Sequence, residues 1–175
     1  MDTPTIFLDI DGVLAPFGRR NSDVLCAETC RRLKSLVDEL GASIVLVSSW
    51  PLEFATQYLG DFGIAIHDAL PEHDRMGGTG RYGFTAREAG IIDYVNAHGL
   101  TSFAWIDDWG TLVGPEKPNQ RHLPRRQRAR ERHPLANHYV ETDWFWSGLR
   151  GYTDGAGLDD EACQRVRERL AFRRQ

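Results

Sequence analysis

The chain has 175 residues, 41% hydrophobic, 26% charged and 10% aromatic, the make-up of a globular domain rather than a disordered or fibrous chain. Its 21 basic side chains face 25 acidic ones for a net charge of −4, which excludes a uniformly basic nucleic-acid binder. No apolar run approaches the roughly 18 residues that cross a bilayer. Met1-Asp2-Thr3-Pro4 lacks the basic start of a secretory signal, so a cytoplasmic protein with no membrane partner is expected.

Ile6 to Ile10 is a short apolar run closed by Asp11-Gly12, the pattern of a strand buried on both faces in a parallel sheet. Ser22 or Asp23 caps a helix running to about Leu40, with Leu25, Leu33, Leu36 and Val37 at helical spacing and Gly41 as its stop. Ile44 to Val47 predicts a second strand, ending in Ser48-Ser49-Trp50-Pro51, and Pro51 suits the first turn of a helix through about Leu59. Ile64 to Ile66 predicts a short third strand, and Gly77 to Gly83 a glycine-rich loop or hairpin tip. Thr85 then caps a helix from Ala86 to about His98. Phe103 to Ile106 predicts the next strand, His138 to Glu141 the last, and Leu158 to about Phe172 a closing amphipathic helix.

Strands alternating with helices predict an α/β, Rossmann-like, doubly wound and mainly parallel sheet with helices on both faces. No internal boundary stands out, so residues 1–175 are read as one domain with a basic insertion at about 115–137. The three cysteines, Cys26, Cys30 and Cys163, are too few and odd in number for a disulfide framework. Cys26 and Cys30 share a helix face, but a zinc site needs a second Cys/His pair and none has suitable spacing nearby. They read as packed or surface thiols.

The acidic residues carry more information. Asp9 and Asp11 end the first strand, and Asp107 and Asp108 end a later one. In an open α/β sheet the ligand crevice lies outside those carboxyl ends. Residues two apart on an extended chain point to the same side, so Asp9 and Asp11 can face one site. Carboxylates converging there repel unless a cation sits among them, and an oxygen-only set suits Mg²⁺. Ser48 ends the neighbouring strand, where a hydroxyl and backbone N–H groups can hold a phosphate. Each piece alone has an ordinary reading: a strand-ending turn, a helix cap, a solvated loop. Their shared position at one sheet edge is what makes a site.

Ile6-Phe7-Leu8-Asp9-Ile10-Asp11-Gly12-Val13-Leu14 resembles the first motif of the haloacid dehalogenase (HAD) superfamily. Ile44 to Ser48 resembles its second motif, an apolar strand ending in Ser or Thr, and Trp105-Ile106-Asp107-Asp108 its fourth. The third motif is a basic residue opening a helix, usually Lys. Neither Lys34 nor Lys117 is placed for it, and Arg87 is the match; a guanidinium can hold a phosphoryl group bidentately. Val140 to Asp143 through Gly157-Leu158 into a helix is similar to small HAD-domain proteins grouped with RNA-repair enzymes. The resemblance implies a Mg²⁺-dependent phosphatase that hydrolyses phosphate monoesters through an aspartyl-phosphate. Asp9 is then the nucleophile, Asp11 the general acid/base, and Ser48 and Arg87 the phosphate-binding pair. The metal falls to Asp9, Asp11 (by its carbonyl), Asp107 and Asp108.

The spacing of the motifs leaves no room for a large cap domain, so an open site admits a bulky substrate such as a nucleic-acid end or a phosphoprotein, while loops acting as lids would equally suit a small phosphate ester. A nucleotide or nucleic-acid phosphate is favoured. Arg121 to His133 holds six arginines, Arg125, Arg126 and Arg128 among them, against the single Glu131. Such a stretch is either a solvated segment, broken by Pro124 and Pro134, or a surface for a phosphate backbone. Trp50 and Trp109 adjoin the second and fourth motifs and can pack or stack on a base. Two rivals remain at this level. A receiver-type signalling module would need a different order of acidic residues and a late Lys. A non-catalytic HAD-fold protein binding nucleic acid would not need the Asp9/Asp11 pair.

Overall fold

A computed structural model describes residues 3–15, 25–76, 80, 84–108, 133–142 and 157–171. In chain order they form β1 (Thr5–Leu8), α1 (Ala27–Leu40), β2 (Ser43–Leu46), α2 (Leu52–Gly60), β3 (Ile66–Ala69), the single turn α3 (Glu72–Arg75), α4 (Ala86–His98), β4 (Phe103–Asp107), β5 (Tyr139–Glu141) and α5 (Asp160–Ala171). The strands pair in the order β3-β2-β1-β4-β5, every pairing parallel.

Strand alternation sorts the apolar side chains into two cores. Ile6, Leu8, Ile44, Leu46, Ala104, Ile106 and Val140 meet α1, α2 and α5 on one face of the sheet. Phe7, Val45, Phe103, Trp105 and Tyr139 meet Ile91 and Val95 of α4 on the other. The fold is therefore the predicted Rossmann-like α/β sheet covered on both faces. Its strand order differs from the 2-1-3-4-5 order of flavodoxin-like sheets such as receiver modules, which removes the signalling rival. Among the described residues no helix is long and apolar enough to cross a membrane.

Local chemistry sets most boundaries as expected. Gly41 and Gly99 end α1 and α4 in the left-handed conformation, at φ of 58° and 61°. Thr85 caps α4 through a reciprocal capping box with Glu88. Three elements differ from the sequence reading. The third strand spans Ile66–Ala69, not Ile64–Ile66: the Ile64 amide closes the turn after α2 by donating to the Leu59 carbonyl at 3.0 Å, and its side chain is buried there. The unforeseen α3 starts after Pro71, with Glu72 and Asp74 in its first turn. The first helix begins later than expected: Cys26, not Ser22 or Asp23, is its N-cap, with no side-chain cap and its amide donating to the Leu14 carbonyl at 2.8 Å. Ser22 and Asp23 themselves, most of the glycine-rich stretch, Trp109, and the arginine segment with Arg125, Arg126 and Arg128 lie outside the described residues.

Candidate phosphoryl-transfer site

The strand order reverses about β1, where β2 and β3 lie to one side and β4 and β5 to the other. The crevice at such a switch point is where α/β sheets place their ligands. Asp9 continues β1, its amide donating to the Ile106 carbonyl of β4 at 3.0 Å. The chain then turns sharply: the amides of Val13, Leu14 and Ala15 all reach the Ile10 carbonyl, at 3.2, 2.8 and 2.9 Å. Gly12 sits in this turn at φ +72°, and a Cβ there would fall 1.9 Å from Asp108 Oδ2. Only glycine allows the β1 loop and the β4 carboxylate to approach so closely.

Asp9, Asp107 and Asp108 are all buried, and each offers a carboxylate oxygen within 4.8 Å of the others. Arg87, one residue into α4, lies across two of them. Its Nη1 stands 2.5 Å from Asp107 Oδ2 and 3.2 Å from Asp9 Oδ2. Burial works against the guanidinium charge, but Asp107 and then Asp9 outweigh it and raise its pKa. A single cation does not neutralise three carboxylates. Burial, followed by the charges of Asp107 and Asp9, pushes Asp108 up to about 8. Converging oxygen-only donors whose mutual repulsion needs a positive charge among them suit a hard divalent cation, so the residues present fit one. Asp11 stands apart from that trio. Its Oδ1 accepts from Trp50 Nε1 at 3.0 Å, and burial raises its pKa, with Asp9 adding to the rise while Trp50 and Arg87 oppose it.

Ser48 is fully buried at the end of β2, and its Oγ accepts from the Trp50 amide at 3.4 Å. Sequence reasoning missed the residue that holds this corner. Arg75 of α3 is buried, and its Nη1 donates to the carbonyls of Ser48 and Trp50 at 3.0 and 2.6 Å while its Nε donates to Leu70 at 2.9 Å. Arg87 Nη2 in turn reaches the Arg75 carbonyl at 3.3 Å. The Pro71-Glu72 start of α3 was the available signal, since Pro followed by acidic residues marks a helix N-terminus. The structure thus brings Asp9, Asp11, Ser48, Trp50, Arg87, Asp107 and Asp108 together at one sheet edge.

A parallel sheet with this acidic edge, a hydroxyl residue on the adjoining strand and a basic residue opening the helix before β4 defines a HAD-type domain. The family described as the HAD domain in Swiss Army Knife RNA repair proteins matches residues 5–150, and the chain belongs to it. No curated protein matches the chain.

Proposed function

We propose that the chain is a divalent-metal-dependent phosphohydrolase acting on phosphate monoesters. The observation that carries this reading is the buried trio Asp9, Asp107 and Asp108 with Arg87 across two of its members. A carboxylate of Asp9 attacks phosphorus in line, and the bond to the leaving oxygen breaks. Asp11, two residues on and held away from the trio by Trp50, gives that oxygen its proton. In the second half Asp11 takes a proton from water, which attacks the phospho-Asp9 and releases inorganic phosphate. Ser48 and Arg87 hold the phosphoryl oxygens and offset their charge. Asp9, Asp107 and Asp108, with the Asp11 carbonyl, would hold the cation, which we take to be Mg²⁺. When bound, it supplies positive charge that lets an anionic nucleophile approach an anionic ester.

The substrate we favour is a nucleotide or a phosphorylated nucleic-acid end. The family's association with RNA repair supports it, as does the run of arginines between Arg121 and Arg132. The test is a hydrolysis screen with and without Mg²⁺ on an aryl phosphate, mononucleotides, sugar phosphates and oligonucleotides phosphorylated at either end. Asp9→Asn should reduce Mg²⁺-dependent turnover by at least about a hundredfold while leaving the circular dichroism spectrum unchanged. Equal turnover in parent and variant rejects Asp9 as the nucleophile. Nucleic-acid binding by a parent that hydrolyses nothing would favour the non-catalytic rival.

A further inference from the structure

Trp50 lies 39 positions from Asp11 in sequence, yet its indole Nε1 donates to Asp11 Oδ1 at 3.0 Å. An indole N–H can only donate, so the oxygen facing it must accept. We infer that Trp50 is a positioning residue that assigns the transferable proton of Asp11 to Oδ2 and fixes the plane of that carboxyl group. The inference rests on the phosphohydrolase reading above and gives it a stereochemical detail.

Three observations make Trp50 suited to hold another group still. Its carbonyl accepts from Arg75 Nη1 at 2.6 Å and its amide donates to Ser48 Oγ at 3.4 Å, so its backbone is pinned on both sides. Its ring lies edge-to-face against Tyr58, centroids 6.2 Å apart, and packs against the core formed with α1, α2 and α5. Arg75, the residue that pins it, is itself buried and bonded to a third carbonyl, that of Leu70. A residue tied down this way loses little further entropy when it orients a neighbour. If Trp50 were only filling space, its polar edge would have no reason to meet Asp11, which among the described residues is the active-site carboxyl outside the metal-binding trio.

A carboxyl group that protonates the leaving oxygen matters in proportion to how badly that oxygen needs a proton. Trp50→Phe keeps an aromatic ring and removes the donor together with part of the indole's volume, a loss of packing that would not by itself distinguish one leaving group from another. Steady-state rates are measured for parent and variant on dinitrophenyl phosphate, whose phenolate leaves unassisted, and on phenyl phosphate, whose phenolate does not. The variant should lose about tenfold in kcat/KM on phenyl phosphate, a fraction of what a general acid contributes, with kcat/KM on the dinitrophenyl ester within about twofold of the parent. That ratio ends at loss of the leaving group and so excludes the later step in which Asp11 activates water. An equal loss on both esters, or none on either, overturns the inference while leaving the phosphohydrolase reading intact. A parent inactive on both esters overturns the two together. A second readout needs no turnover. The Trp50 indole N–H resonance, identified by its absence in Trp50→Phe, should move upfield in Asp11→Ala as the hydrogen bond is lost. An unmoved resonance shows that the bond does not exist in solution and overturns the inference by itself.

Discussion

At Gly12 two requirements coincide on one carbon. The backbone is left-handed, and the space a methyl group would occupy belongs to Asp108. Gly41 has a similar φ, +58°, with nothing within 4 Å of a Cβ. The two glycines therefore separate backbone strain from the clash. Gly41→Ala should cost about 1 kcal/mol or slightly more in urea denaturation. Gly12→Ala should cost clearly more, and it alone should weaken Mg²⁺ binding in calorimetric titration, because Asp108 must move. Similar losses and unchanged metal affinity in the two variants would show that Asp108 has room to yield. Residues of this kind were legible in the sequence because Asp9, Asp11, Ser48, Asp107 and Asp108 each end a buried strand, and strand ends in a parallel sheet share an edge. Pro71-Glu72 marks the turn that carries Arg75 but not what Arg75 does. Arg75 works by reaching backbone carbonyls far along the chain, and no residue pattern marks which carbonyl a guanidinium will find.

At the scale of single elements, α4 carries Arg87 into the site, so how that helix begins decides where the guanidinium sits. Thr85 Oγ1 accepts from the Glu88 amide at 3.2 Å, and Glu88 Oε2 accepts from the Thr85 amide at 2.7 Å. Thr85→Ala should cost about 1 kcal/mol of stability. Frayed at its first turn, α4 should also bind phosphate more weakly, and inhibition by inorganic phosphate measures that directly. An unchanged inhibition constant beside the stability loss would show that Asp107 and Asp9 hold Arg87 without help from the cap. The cap was readable because Thr85 stands three residues before Glu88. The position of β3 was not readable, because β3 is an edge strand with His67 and Asp68 exposed and so shows no apolar run. The apolar signal beside it belonged to Ile64, which closes a turn.

Across the whole molecule, the chain returning from its arginine-rich stretch enters the described fold at His133. The Leu135 amide donates to His133 Nδ1 at 3.1 Å, which places the neutral ring's proton on Nε2. That nitrogen is 3.4 Å from Glu88 Oε1, and the ring meets Phe84 edge-on at 4.8 Å. Burial lowers the His133 pKa to about 4. Above the ordinary histidine value of about 6.5 the ring is neutral whether the chain is folded or not. Between that value and 4 only the unfolded chain takes the proton, so stability falls on acidification by up to about 3 kcal/mol. His133→Asn keeps an acceptor for Leu135 and should flatten the loss of melting temperature between pH 6.5 and 4 relative to the parent. Glu88, raised by burial, acts in the opposite sense and is common to both proteins. Parallel curves would locate the acid sensitivity elsewhere.

Arg75 grips the Ser48 corner with its side chain and meets Arg87 with its carbonyl. The two banks of the crevice are thereby fastened to each other before any ligand arrives. A site built as a fixed jaw selects by the outline and charge it already presents. Its guests should show fast association and little heat-capacity change from reordering of the protein.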